Sequence, residues 1–230
     1  MTDKNTSLAR EAVYGFIYFS GYLGYLFYRR ETELAHWLSL VLIPFFLILW
    51  HQRSKNSVSE SLASIGLMRG NLKKGLWWAC LLGLVLSALQ LFLSRRAGAI
   101  LQLIYSGKAA WLFPMVLILM LVTAGFTEEF FFRGVLQTRF EKLFRNRFLA
   151  VVAASILFGL YHLPYAYLNP RWPSFGNWSD ALASAMGQGV PAGLILGAVY
   201  ARTRNLFVPV IVHSLINTLP AMTMMKFGEQ

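Results

Sequence analysis

Residues 117–133 read LILMLVTAGFTEEFFFR, and the interpretation of the whole chain starts from this stretch. It places two adjacent carboxylates, Glu128 and Glu129, inside a run that is otherwise apolar enough to lie in lipid. Acidic side chains at the centre of a bilayer cost about 2.5–3.5 kcal/mol on insertion scales, so such acids are functional by default. The stretch therefore predicts a membrane helix that carries a polar site.

The composition predicts a polytopic helical membrane protein. Apolar residues make up 57% of the 230 residues and charged residues only 13%, whereas soluble domains contain about 25% charged residues. Several apolar runs approach the roughly 20 residues that a helix needs to span a bilayer. None shows the period-2 alternation of a membrane β-barrel. We therefore predict an all-α membrane helix bundle, with one membrane domain over residues 1–230.

Seven apolar segments are predicted to be transmembrane helices, and residues 1–11 are predicted to form a polar tail. The fourth segment is too long for a straight span, so its far end should leave the hydrocarbon. The last four segments lie within residues 111–225. The seven segments cover residues 12–28, 36–50, 75–93, 111–144, 148–163, 181–201 and 207–225.

Lys and Arg residues indicate topology rather than nucleic-acid binding. The formal net charge is +11, but the basic residues concentrate in connectors between apolar runs, where anionic headgroups attract them. With seven spans, the N-terminal tail shares the more basic side with connectors 51–74, 139–147 and 202–205. The positive-inside rule then places the N-terminus in the cytoplasm and the C-terminus outside.

Elimination narrows the possible chemistry. The chain has no His-Glu-x-x-His zinc helix and no Gly-x-Ser-x-Gly elbow. Its only aspartates, Asp3 and Asp180, lie in the tail and in a loop, which excludes an aspartate dyad. The single cysteine, Cys80, lies in an apolar run and is predicted to be a small buried core residue. Glu128 and Glu129 are the only glutamates placed to lie deep in the membrane, so a glutamate must carry any hydrolytic chemistry.

Helix geometry brings Glu128 to the depth of two histidines. The hairpin between the fourth and fifth segments turns near residue 145, and Glu128 and His162 lie at equal sequence distances from it. With a rise of about 1.5 Å per residue, both side chains should lie about 25 Å from the turn. A modest tilt of the seventh helix would bring His213 level with them.

Helical phase separates the two glutamates. Glu129 and Arg133 are four residues apart, about 40° around the helix, which predicts a structural ion pair. Glu128 is about 140° from Arg133 and is predicted to face a cavity as a general base. The alternative interpretation makes both acids parts of a buried structural network of ion pairs.

Two further pairs at a spacing of four residues support a hydrolytic site. Phe158 can pack beside His162, and His213 shares a helix face with Asn217. The glutamate can take a proton from water, while the imidazoles and the amide orient the water and stabilise an oxyanion. Glu128, His162 and His213 could instead bind zinc, since two His and one Glu form a known catalytic zinc set.

Three motifs follow one another on successive late helices: EExxxR at residues 128–133, FxxxH at 158–162 and HxxxN at 213–217. In this order they resemble the CPBP family, the CAAX-protease and bacteriocin-processing intramembrane endopeptidases, which include the CAAX prenyl endopeptidases. The resemblance covers about residues 111–220 and implies that the helices within residues 111–225 form the catalytic core.

The resemblance implies an intramembrane endopeptidase with a water-accessible cavity between its helices. By resemblance, Glu128 and His162 would activate water, and His213 and Asn217 would bind the oxyanion. The expected partners are membrane lipid and a membrane-anchored peptide or protein substrate, with no nucleic acid. We expect no cofactor, with zinc as the alternative, and a multi-pass location in a cell inner membrane.

Two other classes of function are compatible with the same residues. A proton-coupled transporter could use Glu128 as its relay, although the sequence shows no repeat of the kind that transport folds contain. A non-catalytic partner or immunity protein could keep the fold as a scaffold. Its function would survive the substitution Glu128→Gln, whereas that of an enzyme would not.

Overall fold

The computed structural model describes residues 2–29, 33–52, 58–67, 72–93 and 96–224, and confirms the predicted all-α bundle. We number the helices of this described part in chain order and treat continuous helical segments as one helix. They are α1 (Thr2–Tyr28), α2 (33–52), α3 (Val58–Ser64), α4 (Leu72–Leu93), α5 (Ala97–Tyr105), α6 (Ala109–Phe144), α7 (Arg147–Tyr161), α8 (Leu163–Leu168), α9 (Trp178–Thr203) and α10 (Phe207–Met222).

Several of these helices are long and apolar enough to cross a membrane. Within the described residues they are α4, α6, α9 and the continuous pair α7–α8, while α2 and α10 are apolar but shorter. Large apolar side chains such as Trp77, Phe92 and Ile118 are exposed on their outer faces, which suits contact with lipid. The chain is a multi-pass membrane protein, and the total of seven spans stays a prediction.

Helix α6 departs from regular α-helical geometry around the two glutamates. Phe126–Glu129 forms one α-helical turn, and π-helical segments precede it at Leu121–Gly125 and follow it at Phe130–Gln137. Helix α2 contains a similar segment at Leu38–Leu42, which packs against this part of α6. Single π-helical turns are rare and frequently occur at functional sites.

Small residues let α7 and α9 pack closely. A Cβ atom on Gly189 would lie 2.7 Å from Gly159 Cα, and one on Gly193 would lie 2.9 Å from Ser155 Cα. The missing side chain also exposes the Gly193 carbonyl, which accepts a hydrogen bond from Arg133 Nη2 at 3.3 Å. Helix α9 is thereby anchored to the part of α6 that carries the glutamates.

The polar connectors meet at one end of the bundle. Arg139 on α6 donates from Nε to Glu11 on α1 (3.0 Å) and from Nη2 to the Ser64 hydroxyl on α3 (3.2 Å). Beyond the end of α9, Arg204 lies 2.6 Å from Glu141 of α6. The four segments predicted to share one side of the membrane therefore do lie together. The cytoplasmic orientation of that side stays a prediction.

Two predictions about individual residues are wrong. Residues 2–11 are not a tail but the first part of α1, which begins at Thr2, and Glu11 is buried against Arg139. Cys80 is exposed on α4 rather than buried. Local composition identified neither position correctly, because burial depends on which helix face meets a neighbour.

Candidate active site

Three helices bring one carboxylate and two imidazoles together. Glu128 lies on the single α-helical turn within α6, His162 directly follows α7, and His213 lies inside α10. Glu128 Oε2 is 4.0 Å from His162 Nε2 and 3.8 Å from His213 Nε2. Residues that are far apart in the sequence thus present three polar atoms to one point inside the bundle.

The Glu128 side chain is buried and incompletely paired. The residue is 7% exposed, and its Oε2 atom has no hydrogen-bond partner among the described residues. Leaving a buried acceptor unpaired costs about 1–3 kcal/mol, and more when it is charged. Both imidazole nitrogens are too far away for a direct hydrogen bond, but each is close enough for contact through a water molecule. A buried oxygen without a partner requires an explanation, such as a bound water molecule or a catalytic role.

Glu129 has different partners, although its Oε2 atom also lacks a hydrogen bond within the described residues. It is fully buried, and its Oε1 atom lies 3.0 Å from Arg133 Nη1 and accepts a hydrogen bond from His213 Nδ1 at 2.8 Å. The predicted ion pair with Arg133 is confirmed. The Arg133 guanidinium also lies over the Phe158 ring, 4.4 Å from its centroid. Glu129 therefore links α6 to α10 and directs Nε2 of His213 toward the neighbouring carboxylate.

Phe158 contacts His162 in two ways. The two rings pack edge to face with centroids 4.8 Å apart, as the sequence predicts. In addition, His162 Nδ1 donates a hydrogen bond to the Phe158 backbone carbonyl at 2.8 Å. A carbonyl can only accept, so the Nδ1 atom carries a proton. In the neutral imidazole, the lone pair of Nε2 is then directed toward Glu128.

Asn217 lies one helical turn after His213 on α10. Its side chain is half-buried and, within the described residues, makes no hydrogen bond. The amide is therefore available to donate to a bound group. The structure brings Glu128, His162 and His213 together by measured distances, whereas Asn217 is placed only by its position on the helix.

A second buried polar cluster, which sequence analysis did not identify, borders this site. His36 on α2 contacts the Thr127 hydroxyl at 2.7 Å and the Tyr161 hydroxyl at 3.2 Å. Its two partners directly precede Glu128 and His162 in the sequence. The only sequence signal for this cluster is a histidine at the start of an apolar segment.

The three candidate zinc ligands are not arranged tightly. Within the described residues, no group of three or more His, Cys, Asp and Glu side chains is placed to hold a metal ion. Zinc bonds of about 2.0–2.1 Å in tetrahedral geometry separate ligand atoms by about 3.3 Å. The observed separations from Glu128 Oε2 are 3.8 and 4.0 Å. These separations are wider than a tetrahedral zinc site requires.

The fold and the site together define a class of protein, a multi-pass helical membrane protein with a buried Glu/His site between its helices. Residues 109–219 match the family model described as type II CAAX prenyl endopeptidase Rce1-like. This match contains every candidate site residue and confirms the resemblance seen in the motifs. The match supports assigning the chain to the CAAX-protease family, and it supports an intramembrane endopeptidase of that general type. No curated protein and no solved structure matches the chain.

Proposed function

We propose that this protein is a glutamate-dependent intramembrane endopeptidase in which Glu128 is the general base. One observation carries the proposal: the Nε2 atoms of His162 and His213 both face Glu128 Oε2, at 4.0 and 3.8 Å, and this oxygen lacks a hydrogen bond within the described residues. A carboxylate buried beside two imidazoles, rather than beside an arginine, can accept and return a proton.

Glu128 and His162 can activate one water molecule between them. His162 Nδ1 donates to a carbonyl, so Nε2 of the neutral imidazole is a hydrogen-bond acceptor. The ionised Glu128 carboxylate is an acceptor as well. A water molecule can donate one proton to each of them, and its own lone pair then faces the scissile carbonyl. Glu128 takes the proton as the oxygen attacks, and the proton passes to the leaving amine when the C–N bond breaks.

His213 and Asn217 are the groups that would stabilise the oxyanion. Glu129 accepts from His213 Nδ1, so a protonated His213 presents an N–H from Nε2 toward the site. The Asn217 amide follows one turn later on the same helix. Two such donors placed before the reaction lower the energy of the tetrahedral intermediate. Arg133 and Phe158 hold Glu129 and His162 in place rather than touching the substrate.

Zinc hydrolysis by Glu128, His162 and His213 is the competing mechanism. The atom separations favour the metal-free mechanism, because they are wider than a tetrahedral zinc site requires. The family supports a membrane-associated peptide substrate. We further propose that the protein lies in a cell inner membrane with its N-terminus in the cytoplasm. The orientation rests on the distribution of Lys and Arg.

The test compares Glu128→Gln with wild type on two probes: a farnesylated peptide ending in a Cys-aliphatic-aliphatic-X sequence and a library of transmembrane peptides. The proteins are purified in detergent without added metal, and bound zinc is measured by elemental analysis. Glu141→Gln is the matched control, because it changes the same residue type on the same helix away from the site.

We expect cleavage by wild type and Glu141→Gln, about 10²- to 10⁴-fold slower cleavage by Glu128→Gln, and zinc well below one ion per chain. Stoichiometric zinc that is lost in His162→Ala or His213→Ala would replace the metal-free mechanism by the zinc mechanism. Cleavage by Glu128→Gln at the wild-type rate would overturn the proposal.

A further inference from the structure

His36 connects the two helices that carry the proposed water-activating residues. On one side, its Nε2 atom lies 2.7 Å from the hydroxyl of Thr127, the residue before Glu128. On the other side, its Nδ1 atom lies 3.2 Å from the hydroxyl of Tyr161, the residue before His162. One imidazole ring therefore spans the gap between α6 and α7 next to the site.

The whole cluster is buried, which makes each hydrogen bond costly to lose. His36 is 9% exposed, Tyr161 is 2% exposed and Thr127 is fully buried. The next residue of α2, Trp37, stacks on Phe126 of α6 with ring centroids 5.5 Å apart. Helix α2 is thus docked beside the glutamate-bearing turn by both a ring and an imidazole. A buried donor or acceptor that loses its partner costs about 1–3 kcal/mol.

The hydrogen bonds around His36 determine where its proton lies. Thr127 has one hydroxyl proton, which it donates to the backbone carbonyl of Thr123. Its oxygen can then only accept from His36, so the Nε2 atom must carry a proton. In a neutral ring, Nδ1 is left as an acceptor, and the Tyr161 hydroxyl donates to it. The cluster is a directed chain that runs from Tyr161 through His36 and Thr127 to the backbone of α6.

We propose that His36 is a positioning residue that fixes Glu128 relative to His162, and that it acts as a neutral imidazole with its proton on Nε2. The inference rests on the proposed roles of Glu128 and His162. It goes beyond the family match, because His36 lies outside residues 109–219. A contact between the residues that precede the two reactive side chains controls their separation. A displacement of about 1 Å in such a separation can cost about 10²-fold in rate.

The test replaces His36 by Phe and by Gln. Phenylalanine fills the space of the ring but makes no hydrogen bond. Glutamine keeps a donor and an acceptor at a spacing close to that of the two ring nitrogens. Tyr18→Phe is the matched control. The Tyr18 hydroxyl donates to the Ser39 carbonyl of α2 at 2.6 Å, so this substitution removes a different hydrogen bond to the same helix.

We expect His36→Phe to lower kcat by about 10- to 100-fold with little change in KM, and His36→Gln to restore most of the lost rate. Tyr18→Phe should keep the wild-type rate. If the phenylalanine variant does not fold, two other variants replace it. Tyr161→Phe removes the hydrogen bond to His36 Nδ1, and Thr127→Val removes those of Thr127 with His36 and Thr123. Each should lower kcat. Wild-type kcat in His36→Phe, or an equal loss in His36→Gln, would overturn the positioning role.

A second readout does not depend on activity. In protein labelled with [¹⁵N]histidine, the His36 signals are those that disappear in His36→Gln. We expect a protonated Nε2 and an unprotonated Nδ1 at neutral pH. A proton on Nδ1 would overturn the assignment. If Glu128→Gln cleaves as fast as wild type while the His36 signals are as expected, the proposed function fails and the hydrogen-bond chain stands.

Discussion

Four glutamates of the described part of the chain, Glu11, Glu128, Glu129 and Glu141, fall into two kinds, which differ in their partners. Glu11 and Glu141, at the end of the bundle where the connectors meet, lie 3.0 and 2.6 Å from arginine nitrogens. Glu129, inside the bundle, lies 3.0 Å from a third arginine. Glu128 is the next residue in the chain, yet its neighbours are two histidines at 3.8 and 4.0 Å.

The difference in partners implies that the two kinds of glutamate have different roles. An arginine stays charged at every pH that the protein meets, so the carboxylate paired with it stays ionised and bound to the guanidinium. An imidazole changes its charge between about pH 5 and 8 and can exchange a proton with a neighbouring acid. The arginine-paired glutamates can therefore support structure, while Glu128 is left able to take part in proton transfer.

Glu129→Gln should have the largest effect on stability. The substitution leaves the fully buried Arg133 without its opposing charge, and breaking a buried pair in this way costs about 3–5 kcal/mol. It also weakens the acceptor that orients His213, so the cleavage rate should fall as well. The free energy of unfolding, measured by titration with sodium dodecyl sulfate from mild detergent, gives the first effect.

The adjacent substitution Glu128→Gln is the matched control for this experiment. It removes a carboxylate that has no arginine partner, so the free energy of unfolding should change by no more than about 1 kcal/mol. Its cleavage rate should nevertheless be the lower of the two. Equal destabilisation by both substitutions would contradict the distinction between the two neighbouring acids.

The sequence could predict those parts of the site that depend on regular helix geometry. The four-residue spacing of Glu129 and Arg133 predicted their ion pair, which the structure shows. The equal distances of Glu128 and His162 from the hairpin turn predicted similar depth, and the two side chains lie 4.0 Å apart. Both inferences need only the rise and the turn of a helix, which the sequence pattern supplies.

Other parts depend on contacts between distant segments and could not be predicted. The π-helical turns on either side of Phe126–Glu129 arise where α2 packs on α6, and no local composition marks them. Glu11 looks like a residue of a polar tail until Arg139 approaches it. His36 gains its importance from Tyr161, which is distant in the sequence. A polar residue at the end of an apolar segment does not reveal which helix it will meet.

Glu11→Gln should have the next largest effect. The Arg139 side chain is 2% exposed, but it keeps hydrogen bonds to Ser64 and to the Gly134 carbonyl after the substitution. The free energy of unfolding should therefore fall by about 2–3 kcal/mol, which is at or below the low end of the range for a broken buried pair. The double variant Glu11→Gln/Arg139→Gln should be more stable than Glu11→Gln in the same titration. A less stable double variant would mean that the charge pair is not the dominant interaction.

Phe158→Leu should cost about 2 kcal/mol, because it removes the ring face beneath the Arg133 guanidinium in a buried setting. The ring also packs edge to face on Phe132, with centroids 5.1 Å apart. Phe140→Leu is the control, since Phe140 stacks on Phe144 and is also buried. Beyond the effect of the smaller buried area, Phe140→Leu should lower the free energy of unfolding only by the contribution of one aromatic pair, about 0.5–1.5 kcal/mol. Equal losses of stability in the two variants would show that the cation–π contact does not contribute to holding Arg133.

Glu141→Gln should have the smallest effect, although Glu141 lies 2.6 Å from Arg204 and 2.9 Å from Arg147, closer to its arginines than Glu11 and Glu129 are to theirs. The side chains of Glu141 and Arg204 are 18% and 39% exposed. The hydrogen bonds that Arg204 donates to Glu141 raise the pKa of Arg204, but a partly exposed pair contributes only about 0–1 kcal/mol to stability. The loss should shrink further at about 1 M salt, where the screening length is about 3 Å. The thermal midpoint of Glu141→Gln could instead fall as much as that of Glu11→Gln, with no effect of salt on the loss. That result would show that distance rather than burial determines the strength of these pairs.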